Sequence, residues 1–305
     1  MNYPKFPESL LLNRLSLPEG KIDMVIDTDT YNEVDDQFAL VYALGSKEKL
    51  NVKAVYAAPF FNDRSIDPAD GMEKSFDEIL RVLDKMSERP HEGFVFKGST
   101  RYLESTDTPC DSEAVRDLIK KASETENLLY VVAIGAITNI ASAILLKPEI
   151  IEKIVVVWLG GHAHYWPDTK EFNLAQDVVA ARVLFDCGVP LVQIPCMPVA
   201  SHLITTLPEL EKHIEGKSSI GSYLTDIVRN YSDNLYAWSK VIWDISAVAY
   251  LINPSWIKTQ VVHSPILTDQ VTWSMDHGRH FIKTAISVDR DSIFEDLFSK
   301  IGRTI

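Results

Sequence analysis

The sequence predicts an α/β fold, a Rossmann-like doubly wound and mostly parallel sheet with helices on both faces. Three observations predict it. Continuous Val/Ile runs, as in KIDMVID, LLYVVAIG and IEKIVVVWLGG, are the mark of strands buried on both faces, which is the situation in parallel sheets. Helix-forming segments alternate with these runs, as crossover connections require. No repeat, low-complexity tract or long linker divides the chain, so residues 1–305 are expected to form one domain.

Taken in order, KIDMVID reads as a strand and EVDDQFALVYALGS as a helix. VKAVYAA is a strand, followed by the helix ADGMEKSFDEILRVLDKMSE. GFVFKG is a short strand, followed by the helix DSEAVRDLIKKASET. LLYVVAIG leads into AITNIASAILLKP, IEKIVVVWLGG into DVVAARVLFDCG, and PLVQIPCMP is another strand. After residue 200 the pattern turns helical and aromatic. It ends in a mixed segment, QVTWSMDHGRHFIKTAISVDRDSIFEDLF.

Composition narrows the function. The chain has 305 residues, 46% hydrophobic and 24% charged, with a formal net charge of -13. That balance belongs to an ordinary globular protein and disfavours a nucleic-acid surface, which needs basic patches. The apolar runs are too short for a membrane span. The opening MNYPKFPESLLLNRLSLPEG lacks a basic start, a long apolar stretch and a small-residue cleavage site, so no export signal is expected. Cys110, Cys187 and Cys196 are widely spaced and form no CxxC, which fits reduced thiols in a cytoplasm.

In a sheet of this kind, ligands bind beyond the carboxyl ends of the strands. Asp27, Asp29, Glu33, Asp35 and Asp36 follow the first strand. Asn62 follows the second, and Thr138 and Asn139 follow LLYVVAIG. Gly160, Gly161, His162 and His164 follow IVVVWLGG, with Glu171 and Asn173 shortly after. No GxGxxG, GxxxxGK[ST], HExxH or GxSxG is present. Crowded carboxylates with amide and hydroxyl neighbours suit a hard divalent cation, which also offsets their repulsion. Helix capping competes for Glu33 and Asp35, because an acidic residue in a helix's first turn contributes about 0.3–1 kcal/mol. Capping accounts poorly for Asp27 and Asp29, which end the strand.

These segments together resemble the inosine-uridine preferring nucleoside hydrolases. DTDTYNEVDDQFAL is similar to that family's N-terminal signature, usually Asp-x-Asp-Pro-Gly-x-Asp-Asp. AVYAAPFFN, VVAIGAITNIA, WLGG with EFN, and WDISAVAY resemble later family segments in the right order, over about residues 20–300. The resemblance implies one calcium ion per chain, held by the carboxylates of Asp29, Asp36 and Asp244 and the backbone carbonyl of Thr138. It implies that Asp29 also takes the proton of a calcium-bound water. Asp35, Asn62, Glu171 and Asn173 would bind the ribose hydroxyls, with Asp27 supporting the site from beneath. The implied partners are a small nucleoside and further copies of the chain, in a homodimer or homotetramer.

The residue types suit the chemistry. An N-ribosidic bond breaks through an oxocarbenium-like transition state. Water must reach C1′, carboxylates must face the developing positive charge, and the base must be helped to leave. Direct attack by water predicts inversion at C1′.

Two departures from the family pattern stand out. Five residues, TYNEV, separate Asp29 from Asp35 where the family usually has three, and Pro-Gly is missing. If the extra residues bulge outward, Asp29 and Asp36 still reach one cation; otherwise Glu33 becomes a ligand or sugar contact. Trp243 precedes Asp244 where many members have histidine. Tryptophan has no titratable proton but can stack on a purine, so Trp243 is either a catalytic-site residue of a purine-preferring enzyme or a core residue at a helix start. Tyr231, Tyr236 and Trp238 are either a lid or packing. His162 and His164 are either substrate contacts or loop residues. Tyr165, Trp166 and Asp168 occupy the stretch where the family often has an asparagine for the 5′-hydroxyl. The counterpart of His202 is structural. Two other functions compete: a ribose binder without turnover, and a haloacid-dehalogenase-like phosphohydrolase using Asp27 as nucleophile.

Overall fold

The computed structural model describes residues 3–88 and 92–303. Six strands, β1 (Ile22–Thr28), β2 (Leu50–Ala57), β3 (Val95–Lys97), β4 (Leu129–Ala133), β5 (Ile154–Leu159) and β6 (Leu191–Ile194), match the six runs read from the sequence. They pair in parallel in the order β3-β2-β1-β4-β5-β6. Phe281–Val288 extends the sheet in parallel beside β6, and Ile257–His263 closes that edge in antiparallel.

The central strands are buried throughout, and their side chains alternate between two cores. Val155, Val157 and Leu159 of β5 join a cluster with Phe38, Tyr42, Val248 and Phe294. Ile154, Val156 and Trp158 join a second cluster with Leu118, Ile144 and Leu184. The first core is covered by helices that include Asp36–Gly45, Ile245–Ile252 and Arg290–Arg303, the second by Glu113–Glu124, Thr138–Leu146 and Val178–Asp186. Each fully buried Val or Ile contributes about 1.5–3 kcal/mol relative to exposure. Two-sided burial is therefore why an uninterrupted apolar run holds its place here.

Three elements differ from the expectation. The first crossover helix starts at Asp36, so Glu33 and Val34 belong to the preceding turn. A short helix, Phe172–Gln176, precedes Val178–Asp186, with Asp177 capping the second by accepting from Ala180 N at 2.9 Å. The edge strand Ile257–His263 lies in a polar stretch; an antiparallel edge needs no continuous apolar run, so periodicity passes over it.

The order of the strands places the site. From β1 the chain winds outward through β2 and β3, and from β4 it winds the other way through β5 and β6. The connections leaving β1 and β4 therefore diverge, and a crevice opens above their carboxyl ends.

Candidate active site

The signature loop grows out of β1 and is pinned by its own hydroxyls. Thr28 Oγ1 donates to Asp36 Oδ1 at 2.5 Å and lies 2.8 Å from Thr30 Oγ1. Asn32 N donates to Asp29 O at 2.7 Å, folding the inserted residues into a tight turn. The insertion thus bulges, and Asp35 and Asp36 come back over the end of β1.

There they meet Asp244. One carboxylate oxygen from each of Asp35, Asp36 and Asp244 lies within 4.8 Å of the others, and all three residues are buried. Asp244 precedes Ile245–Ile252 and Asp35 precedes Asp36–Gly45, but neither side chain caps its helix. The capping alternative therefore fails for Asp35. Both helices instead direct their positive N-terminal ends toward the cluster.

Asp29 is buried beside them, with two carboxylate oxygens that meet no donor among the described residues. Burial, then repulsion from Asp36 and Asp35, pushes Asp29 well above the ordinary carboxylate range. Burial and repulsion from Asp35, Asp36 and Asp29 do the same to Asp244. Burial and Asp35 push Asp36 up to about 7, against the hydrogen bond from Thr28. An orphaned buried carboxylate costs several kcal/mol unless a positive charge meets it. The donor set is all hard oxygen, and it fits a divalent cation of the calcium or magnesium type.

Gly135, following β4, lets Asp29 sit where it does. A Cβ built on Gly135 would lie 3.0 Å from both Asp29 Cγ and Oδ1. Asp27 lies deeper. It is fully buried, accepts from Asn139 Nδ2 at 2.7 Å, and is pushed up to about 7 by burial. Like Asp29, it is absent from the lining of the cavity, and its bond with Asn139 ties it to the helix Thr138–Leu146.

The cavity above the cluster has a volume of about 300 Å³. Asp35, Asp36, Asp244, Glu171 and Asn173 line it, together with Trp243. Glu171 is held rigidly: its carboxylate accepts from Gly161 N at 2.8 Å, Asn173 N at 2.9 Å and Leu174 N at 3.1 Å. Gly161 adopts φ +70°, and a Cβ there would meet Thr169 Oγ1 at 2.6 Å, so the Gly-Gly pair is what brings that N–H to Glu171. Asn173 Nδ2 donates to Ile134 O at 3.1 Å and Leu159 O at 3.0 Å, tying the wall to the ends of β4 and β5.

The other sequence candidates divide between this cavity and its surroundings. Asn62 Nδ2 donates to Asn32 Oδ1 at 2.7 Å and lines a neighbouring cavity, so it buttresses the insertion, and Asn32 is the residue that reaches the site. Thr138 begins its helix at the end of β4, and its hydroxyl donates to Asp177 Oδ2 at 2.7 Å. His164 is turned to Gln193 Oε1, 2.7 Å away, while His162 lines the cavity. Tyr231 and Trp238 pack with ring centroids 6.3 Å apart, and Tyr236 is exposed. Trp243 packs partly against the core and also lines the cavity. Trp243 N donates to Asp35 Oδ2 at 3.2 Å.

Lys240 escaped the sequence reading. It is buried, ion-paired with Glu33, and has Nζ 3.8 Å from Asp35 Oδ1. Glu33 is thereby committed to a cation of the protein itself. Its only signal in the sequence is a lone lysine within an aromatic stretch, YAWSKVIW.

The chain is similar to known proteins over most of its length. A family model described as inosine-uridine preferring nucleoside hydrolase matches residues 24–295. The pyrimidine-specific ribonucleoside hydrolase RihB of Escherichia coli is 30% identical over 179 residues, 56% of this chain and 55% of that protein. The aligned part thus spans about half the length of that curated relative. The purine-preferring ribonucleoside hydrolase from Gardnerella vaginalis superposes with a TM-score of 0.77 at 22% identity, covering 92% of this chain and 98% of that one. A plant nucleoside hydrolase, PpNRh1, superposes with a TM-score of 0.73 at 20% identity, covering 94% and 100%. Among the described residues no helix is long and apolar enough to cross a membrane.

Proposed function

Because the chain belongs to the inosine-uridine preferring nucleoside hydrolase family, we propose that it hydrolyses the N-glycosidic bond of a ribonucleoside to free base and ribose, with calcium in the carboxylate cluster. The observation that carries this reading is the buried Asp35, Asp36 and Asp244 cluster lining one cavity, with the partnerless carboxylate of Asp29 buried near enough to be repelled by Asp36 and Asp35.

Asp29, Asp36 and Asp244 would hold the ion, with the Thr138 carbonyl as a further ligand. When bound, such a cation offsets the repulsion among the carboxylates, takes up ribose hydroxyls and acidifies water. Asp35, Glu171 and Asn173 orient the ribose, and the backbone bonds that fix Glu171 and Asn173 keep that orientation from drifting. Asp29, whose affinity for a proton is raised by burial, accepts the proton of the attacking water. The buried carboxylates facing the ring stabilise the positive charge that grows on the sugar. Trp243 stacks on the base, which favours a purine over a pyrimidine.

The test is release of reducing sugar from inosine and from uridine. The expected result is calcium-dependent release that chelator abolishes, loss of at least about a hundredfold in Asp29→Ala, and a higher kcat/KM for inosine. Chelator-insensitive hydrolysis, or an Asp29→Ala chain as active as the wild type, would overturn the reading. Equal kcat/KM for the two nucleosides would remove the purine preference alone.

A further inference from the structure

Tryptophan at position 243 brings an indole N–H to the cavity but no titratable proton, so any further donor to a departing base comes from another side chain. The cavity lining contains two side chains with nitrogen donors that lie outside the carboxylate cluster and carry a charge or an imidazole: His162 and Lys170. Lys170 is exposed, and among the described residues no ion pair fixes its ammonium. His162 is half-buried and fastened on several sides.

Its backbone N–H donates to Thr169 Oγ1 at 2.8 Å, and its carbonyl accepts from Trp273 Nε1 at 3.0 Å. Its ring meets Trp166 edge-on, with centroids 6.3 Å apart. Its Nδ1 accepts from Met197 N at 3.3 Å, and Met197 also lines the cavity. An amide N–H aimed at Nδ1 requires a lone pair there, so the proton of the neutral ring resides on Nε2. Among the described residues no group bonds to Nε2. A fixed ring of a residue that lines the cavity therefore carries an N–H with no partner among the described residues.

We propose that His162 Nε2–H donates a hydrogen bond to the nucleobase and stabilises it as it leaves; this rests on the hydrolase reading above. As the C1′–N bond breaks, its electron pair moves onto the base, and the bond from Nε2 strengthens as that negative charge builds. His162 keeps its proton throughout, and the base takes its own from solvent. Protonating the ring would set a second donor at Nδ1 against the Met197 N–H. Burial also lowers the basicity of the imidazole, only partly opposed by Asp168.

The experiment compares inosine with p-nitrophenyl β-D-ribofuranoside, whose leaving group needs no donor. His162→Ala is expected to lower kcat on inosine by about tenfold, the worth of one hydrogen bond in a closed site, and to leave the nitrophenyl substrate within about twofold. His162→Gln, which retains an N–H, is expected to recover inosine hydrolysis to within about threefold. Equal losses on both substrates, or no loss on either, overturn the proposal. If the wild-type chain cleaves neither substrate, the hydrolase reading fails, and calorimetric titration with inosine decides this one. Roughly tenfold weaker binding in His162→Ala, but not in His162→Gln, then supports it; equal affinities overturn it.

Discussion

Lys240 Nζ stands 3.8 Å from Asp35 Oδ1 while ion-paired with Glu33, across 207 residues of chain. The pair ties the inserted part of the signature loop to the segment that carries Trp243 and Asp244. It also places a fixed positive charge beside the carboxylate cluster. Burial raises Asp35, Lys240 lowers it and Glu33 raises it, leaving Asp35 at about 6. Burial alone would lower Lys240, but Asp35 and Glu33 outweigh it and hold the ammonium charged.

Removing that ammonium should move two quantities in opposite directions. Lys240→Met leaves Glu33 and Asp35 uncompensated, so the chelated protein loses about 1–3 kcal/mol of stability. The same change removes a like charge near the cluster, so calcium binds several-fold more tightly. Denaturant unfolding in chelator and calorimetric calcium titration check the two signs.

Asp244→Asn should separate stability from function. The cluster loses one of its mutually repelling carboxylates, and the melting temperature in chelator rises by about 2–4 °C. Stabilisation by added calcium disappears, and sugar release from inosine falls below detection. A thermal scan with and without calcium, beside the activity assay, shows whether both changes occur together.

Gly135→Ala tests the positioning of Asp29. The added methyl would sit 3.0 Å from the Asp29 carboxylate and 3.2 Å from Ala58 Cβ, both buried, so Asp29 is pushed off its place. A displacement of a fraction of an ångström is expected to cut kcat by about 10–100-fold, with a cooperative thermal transition retained. An unchanged kcat would show that Asp29 has room to spare.

The pH dependence of stability follows from the raised carboxylates. Asp36 stands at about 7 and Asp35 at about 6, against an ordinary value of 3.8. In the window between the ordinary and raised values the folded chain binds more protons than the unfolded one. Stability in chelator is therefore full below about pH 4 as far as these groups are concerned, and falls as pH rises toward 7. Calcium favours the ionised carboxylates and should flatten that fall. Melting temperatures at pH 5 and pH 8, each with calcium and with chelator, give the four values needed. A calcium effect no larger at pH 8 than at pH 5 would count against the cluster as the binding site.

Much of the fold is legible in local sequence because each central strand is buried on both faces. An uninterrupted run such as IVVVWL has no other stable placement than between two helical layers. Helix starts were less legible. The acidity of NEVDD marks both a cap and a ligand, and only the direction of the Asp35 side chain, toward Trp243 N and away from its own helix, separates the two. The edge strand Ile257–His263 was not legible, since one of its faces is open to water.

The site divides the same way. By itself the sequence determined the sheet, the acidic turn after its first strand and the later segments that resemble one enzyme family, because strand burial and turn chemistry act over a few neighbouring residues. Only the tertiary structure decided that Asp244 closes the cluster, that Lys240 claims Glu33, that Asn62 supports Asn32 rather than lining the cavity, and that His162 faces it while His164 does not. The physical reason is that charge and hydrogen-bond pairing depend on separations of a few ångströms, and those separations are set by how β1, β4 and the helix from Ile245 to Ile252 pack, not by any spacing along the chain.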